Sequence, residues 1–290
     1  MKILFVTSNR LGDAILSTGL LDHLIRSHPD ARITVVCGPV AEGVFTRMPN
    51  RKRTIVLRKR SWGRHWLPLW VRVAPHVWDL VVDIRGSALS WLVPTRRRAV
   101  FRRITGPKIA QLGAILGLSP PPLPVTWASE SDRRTSRNWL PSDRPIIVLA
   151  PTANWAPKVW PADRFAALFR TLVESLLPGA QAVILGGPGS AERAMAAPLL
   201  AALPGAIDLV GAVSLPEAAA VLQQAALFIG NDSGLMHLAA AAGAPTIGLF
   251  GPTDAATYRP AGRCTTAVVA ASMDAIGVDA VVEAATALLA

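Results

Sequence analysis

Cysteine is scarce in this chain. Cys37 and Cys264 are the only two in 290 residues and stand far apart. They make no disulfide framework, and no Cys/His cluster has the spacing of zinc ligands. A reducing, cytoplasmic compartment is therefore expected. Long apolar runs are also lacking. After Lys2 the first run covers only residues 3–6, a strand's length, and the longer uncharged stretches are interrupted by Gly and Pro. Neither a secretory leader nor a membrane-spanning helix is expected. The first strand-to-helix turn has no G-x-G-x-x-G, which argues against a dinucleotide fingerprint there. Acidic residues are sparse in one half only. Residues 1–145 hold 24 Lys/Arg against nine Asp/Glu, a net +15, whereas residues 146–290 are at −4, for a total of +11. The first half should seek an anionic partner: nucleic acid, an acidic membrane surface or a phosphorylated acceptor.

What is present is a globular α/β composition, 51% hydrophobic and rich in Ala, Leu and Val. Strand and helix signals alternate in the first half: strands at 2–7, 32–37, 54–57 and 79–84, helices at 12–28, 39–48, 87–93 and 107–116. Such alternation implies a parallel, doubly wound sheet. Residues 118–145 carry six prolines and a polar run, read as a linker. The alternation then restarts, with strands at 146–150, 180–185, 207–210, 227–229 and 245–250 and a final helix at 278–290. Two domains are expected, 1–140 and 141–290, with a cleft between them as the preferred place for a ligand. The last helix is a candidate to return to the first domain.

Several strand-end loops carry candidate chemistry. In Gly230-Asn231-Asp232-Ser233-Gly234 a buried strand stops and a helix opens. Asp232 or Ser233 suits the N-cap, the free N–H groups of the first turn suit phosphate, and His237 follows one turn later. A second strand ends in Gly251-Pro252-Thr253. In Asn9-Arg10-Leu11-Gly12-Asp13 a carboxylate sits where open α/β sheets bind ligands, though Asp13 alone reads more readily as a helix-terminal acid. Thr152, Asn154 and Lys158 follow the first strand of the second half, and Lys158 could serve a diphosphate. Gly187 lies in a glycine-rich loop after residue 185. Arg85 ends a first-half strand. Basic residues concentrate at 51–64, including Arg58, Lys59 and Arg60, and at 96–108. Trp62, Trp66 and Trp70 recur every four residues beside the first stretch, a spacing that would share one helical face, with Pro68 against it. No nucleic-acid motif accompanies these runs, so no nucleic acid is expected as partner.

The run from Asp232 to Thr253, D-S-G-x-x-H-x-A-A-A-x-G-x-P-x-x-x-L-F-G-P-T, resembles the signature of family 9 glycosyltransferases, the bacterial ADP-heptose heptosyltransferases. L-G-D-x-I at Leu11–Ile15 and K-x-W-P at Lys158–Pro161 resemble two further segments of that family. The resemblance implies a GT-B fold of two Rossmann-like domains, with an acceptor-binding first domain and a donor-binding second. It implies inverting transfer of a heptose from ADP-heptose to the inner core of lipopolysaccharide, an anionic glycolipid, at the inner face of the inner membrane. Asp13 would be the general base. Thr152, Asn154, Lys158, Gly187, Asp232, Ser233, Gly234 and His237 would bind the donor. Asn9, Arg10, Gly12, Arg85, Arg58, Lys59 and Arg60 would face the acceptor. No cofactor is implied. With no D-x-D in the chain, Lys158 and the helix N-terminus at Ser233 would offset the diphosphate charge without a metal. Where some relatives grip the ribose with a glutamate in the glycine-rich loop, the nearest acid here is Glu192. Transfer of another sugar to another glycan, and a non-catalytic binding protein of the same fold, remain the alternatives.

Overall fold

The computed structural model describes residues 1–59 and 61–290. Arg60, one of the expected acceptor contacts, lies outside the described residues. The chain forms two compact units, Met1–Trp127 and Ala128–Ala290.

The first unit is built on five strands, β1 (Lys2–Val6), β2 (Arg32–Cys37), β3 (Arg51–Val56), β4 (Trp78–Asp83) and β5 (Thr95–Val100). They pair in the order β3-β2-β1-β4-β5, and every pairing is parallel. The continuous apolar runs of β1, β2 and β4 reflect burial on both faces, as parallel sheets require. Because the order reverses between β1 and β4, the loops leaving those two strands border the crevice where ligands bind in open α/β sheets.

Helix α1 (Leu11–Leu16) follows β1 and passes into α2 (Thr18–Ser27). The expected single helix is interrupted at Ser17, whose hydroxyl donates to the Ala14 carbonyl, as the Thr18 hydroxyl does to that of Ile15. Such back-bonding bends helices. Residues 39–48 and 87–93, expected as helices, form shorter 3₁₀ turns at Pro39–Phe45 and Ala88–Trp91.

Helix α3 (Trp66–Val73) tolerates Pro68 because the proline falls in the first turn, where backbone N–H groups have no helical partner. Leu69 and Val73 enter the core beside Leu4, Val36 and Val81, and Trp66 packs at its edge. The three tryptophans therefore do not share a face. Trp62 precedes the helix in a 3₁₀ turn, Trp66 turns inward and Trp70 is exposed. Helix α4 (Lys108–Gly113) is the last α-helix of the unit and runs on into a 3₁₀ turn at Ala114–Leu116.

Residues 129–138, expected within a linker, form most of helix α5 (Glu130–Trp139). Its N-terminus is closed by a capping box of Ser129 and Asp132, a device worth about 1 kcal/mol. The Gln224 side-chain amide donates to Ser136 at 2.7 Å, so α5 belongs to the second unit. The boundary thus falls after residue 127 rather than after 140.

The second sheet comprises β6 (Ile146–Ala150), β7 (Gln181–Ile184), β8 (Ile207–Asp208), β9 (Leu227–Asn231), β10 (Thr246–Phe250) and β11 (Thr265–Val269). Its order is β11-β10-β9-β6-β7-β8, again all parallel. Strand β11 had no separate signal because it is a half-exposed edge strand. Helices α6 (Ala162–Ser175), α7 (Ser190–Ala202), α8 (Leu215–Leu222), α9 (Gly234–Ala242), α10 (Ala255–Tyr258) and α11 (Val278–Leu289) complete the unit. Helix α11, a candidate to join the first domain, instead places Val281 and Ala285 in this unit's core with Trp160 and Phe165. Among the described residues no helix is long and apolar enough to cross a membrane.

Burial pushes the Cys37 thiol up to about 12, with the charge of Glu42 adding to the effect. Because the thiolate is the reactive form, Cys37 should resist a small thiol reagent at pH 8 until the protein unfolds. Cys264, half-buried, should account for all labelling of the folded protein. Mass spectrometry of labelled peptides checks this, and rapid native labelling of Cys37 would contradict it.

Candidate active site

The second sheet reverses its order between β6 and β9, and the functional loops gather there. Ala150 pairs with Gly230 at the ends of the two strands. Beyond that pair the chains are joined by side chains. Asn231 is fully buried, and its Oδ1 accepts from the Trp160 backbone N–H at 3.1 Å. The Trp160 indole N–H donates to the Ile276 carbonyl at 3.1 Å. The loop between β6 and α6 is thereby pinned along its return path. Lys158, on that loop, reaches Asp232 at 2.6 Å (Nζ to Oδ2) and lies 3.5 Å from its carbonyl oxygen. Both side chains are largely shielded, which strengthens the attraction relative to a surface pair.

Asp232 therefore does not cap α9. The N-cap is Ser233, and it makes no side-chain bond to the helix. The first turn keeps its free N–H groups and the positive end of the helix dipole. The helix closes at Gly243, whose φ of 91° suits a left-handed cap. Around the open end, the buried Asn231 Nδ2, Ser233 Oγ and Thr253 Oγ1 find no hydrogen-bond partner within the protein. Leaving such atoms unsatisfied costs about 1–3 kcal/mol each, and native folds rarely do so without a reason. Three of them at strand-end loops, beside a lysine and an uncapped helix, form a surface fitted to an anion that brings several acceptor oxygens.

The other expected donor residues distribute around this centre. Thr152 is buried at the end of β6 and His237 is buried one turn into α9. Asn154 is exposed. A Cβ built on Gly186 would lie 3.4 Å from Thr152 Cγ2, so the loops after β6 and β7 are neighbours. The next residue, Gly187, donates its backbone N–H to Glu192 at 3.1 Å. The acid that follows the glycines thus folds back on the loop and braces it.

In the first unit the loops after β1 and β4 meet. Asp13 lies in the first turn of α1 and accepts from the Ser8 hydroxyl at 3.2 Å. Lys108 on α4 is the nearby cation. Burial lowers its pKa from the usual lysine range, and the Asp13 charge works against that fall. Its ammonium also stands 4.3 Å from the Phe101 ring centroid. The buried Asp83 carboxylate accepts from the backbone N–H groups of Arg85 and Ser87 and from the Ser87 hydroxyl, shaping the turn after β4. Arg85 then reaches Asn9 at 3.4 Å and covers Trp66 with its guanidinium 5.2 Å from the ring centroid. Arg10 is exposed as the residue before α1, and Gly12 is in its first turn. Arg58 and Lys59 are exposed after β3.

Sequence reasoning did not single out Ser8, Lys108, Asn231 or Thr253 as site residues. Asn231 had a signal, a buried apolar strand ending abruptly in an amide. Lys108 had none, since only the fold carries it near Asp13.

The sequence profile of glycosyltransferase family 9 (heptosyltransferase) matches residues 94–279. The chain belongs to that family and is a glycosyltransferase. It is 32% identical to lipopolysaccharide heptosyltransferase 2 of Escherichia coli over 87% of this chain and 83% of the relative. To lipopolysaccharide heptosyltransferase 2 of Salmonella typhimurium it is 26% identical, over 87% and 83%. Among solved structures it resembles the ADP-heptose lipopolysaccharide heptosyltransferase II of E. coli, with TM-score 0.79, 24% identity, and 100% of this chain and 98% of that chain covered. A family 9 glycosyltransferase from Veillonella parvula gives TM-score 0.82 at 21% identity, covering 99% and 97%. The two parallel sheets are thus the Rossmann-like halves of a GT-B fold.

Lys158→Ala leaves the Asp232 carboxylate shielded and unpaired, and Asp232→Ala does the reverse. Each should cost about 2 kcal/mol in urea unfolding, and the double variant should lose less than the sum by about 1–2 kcal/mol. Strictly additive losses would show that the pair is not coupled.

Proposed function

We propose that this protein transfers a heptose from ADP-heptose to an anionic glycolipid acceptor, the Kdo–lipid A type inner core of lipopolysaccharide, with inversion at the anomeric carbon. The observation that carries the reading is the set of unpartnered polar atoms at the open N-terminus of α9 beside Lys158. A nucleoside diphosphate has the oxygens to engage them. Two solved relatives with TM-scores of 0.77 and 0.74 are described as E. coli heptosyltransferase WaaC with ADP and with ADP-2-deoxy-2-fluoro heptose, which supports the same ligand class.

In the proposed reaction the Asp13 carboxylate takes the proton of the acceptor hydroxyl as its oxygen attacks the sugar's anomeric carbon. The bond from that carbon to the diphosphate breaks on the opposite face, and ADP departs with the electron pair. Ser8 orients the base. Lys158, the Ser233 hydroxyl and the first-turn N–H groups of α9 stabilise the leaving charge, the role a divalent metal plays in other sugar-nucleotide transferases. Asn9, Arg10, Arg85, Arg58 and Lys59 supply hydrogen bonds and positive charge to a carboxylate- and phosphate-bearing acceptor. The site's working place is then the cytoplasmic face of the inner membrane.

Asp13→Asn should lower kcat by about 10²–10⁴ while ADP affinity, read by calorimetry, stays within about twofold of wild type. Wild-type kcat at saturating substrates would remove Asp13 from the role. Lys158→Ala should weaken ADP binding about tenfold to a hundredfold, and EDTA should leave turnover unchanged. Activity lost in EDTA and restored by Mg²⁺ would contradict the metal-independent reading.

A further inference from the structure

The first unit exposes apolar side chains that neither its core nor the proposed chemistry uses. On α3, Leu67 is 66% exposed, and Trp70 and Val71 also face outward. On the neighbouring turn, Trp91 and Leu92 are each 63% exposed. The Trp70 indole N–H donates to the Leu92 carbonyl at 2.8 Å, fastening the two segments into one surface. Four residues before the helix, Trp62 is 97% exposed and has the left-handed φ of 57°, a conformation that disfavours a bulky side chain. Exposed apolar side chains brought together on two joined segments, with Trp62 leading into one of them, mark an interaction site.

The charge around this face narrows what can occupy it. Residues 51–108 contain fifteen Lys/Arg and two acids, Asp79 and Asp83. Asp83 is buried in its own turn, and Arg96 pairs with Asp79 at 3.5 Å. Arg64 precedes α3 and Arg72 sits in its last turn, both exposed, and the Arg98 guanidinium lies 5.4 Å from the Trp91 ring centroid. A second copy docked here would oppose two cationic rims. Nucleic acid would meet the charges but leave Leu67, Val71 and Leu92 without apolar partners. An anionic bilayer satisfies both features: phosphates for the rim, and the headgroup–acyl boundary for indoles and aliphatic side chains.

We propose that α3 and the Ala88–Trp91 turn form a docking surface for anionic phospholipid, with Trp62, Leu67, Trp91 and Leu92 entering the interface. The inference rests on the reading of a membrane-embedded acceptor, because it supplies the means of reaching one.

The test is co-sedimentation of full-length protein with vesicles. Wild type should pellet with mixed phosphatidylglycerol–phosphatidylcholine vesicles, should leave phosphatidylcholine vesicles unbound, and should be released by 1 M salt, where the Debye length is only about 3 Å. Trp62→Ser combined with Trp91→Ser should lower the partition coefficient about tenfold or more, with an unchanged melting temperature. Leu67→Asp, made separately, should do the same. Unaltered vesicle binding by both variants, equal binding to the two vesicle types, or a lipid-free dimer abolished by these variants would overturn the proposal. ADP-heptose turnover on a delipidated acceptor, measured on the same samples, separates the two readings. Turnover without vesicle binding ends the docking proposal alone, whereas vesicle binding without turnover ends the proposed function alone.

Discussion

The ion pair between Lys158 and Asp232 joins the loops on either side of the point where the second sheet changes direction. Two parallel strands leave a crevice there by topology, and without a cross-link their loops would be free to spread. The pair, with the Asn231–Trp160 bond behind it, fixes the separation of those loops. It also removes Asp232 from helix capping, which leaves the α9 terminus open. Neither residue could be assigned this double role in isolation. A lone loop lysine is usually a solvated charge, and a lone aspartate before a helix is usually a cap. Paired, they set a cation beside a row of backbone donors with unpartnered hydroxyls between. The arrangement favours an incoming anion of several oxygens over a single counter-ion.

The first unit repeats the topology with different chemistry. Its crevice loops carry a carboxylate near a half-buried lysine and an arginine held by Asn9 and Trp66. The surrounding surface is basic and partly apolar. One parallel scaffold thus supports two kinds of strand-end loop, which accords with function residing in loops and fold in the sheet. The charge asymmetry between the chain's halves follows this division.

The parallel sheets are readable because their central strands are short, mostly apolar and separated by helical periodicity. β1, β6 and β9 are the clearest cases. The placement of Asp13, Lys158 and the Asp232–Gly234 turn on strand-end loops is readable for a related reason, since each lies in the loop or turn that such a strand feeds. Elsewhere local signals were incomplete. A run of charged and hydroxyl residues reads as linker, but Ser129 and Asp132 close a helix there through reciprocal bonds that composition alone does not show. The Trp62–Trp66–Trp70 spacing suggested one face, yet α3 begins only at Trp66, and Leu69 with Val73 decides which side turns inward. Lys108 acquires its neighbour only through tertiary packing, and the half-exposed β11 lacked the apolar run that marked the buried strands.

Hydrogen exchange of the full-length protein with and without saturating ADP tests most directly the claim that the Lys158–Asp232 crevice and the open α9 terminus hold the donor diphosphate. The account predicts that ADP slows exchange in residues 151–160 and 231–237 and leaves the strands of the first unit at their unliganded rates. Protection confined to the first unit, or unchanged exchange across both second-unit loops at saturating ADP, would contradict it.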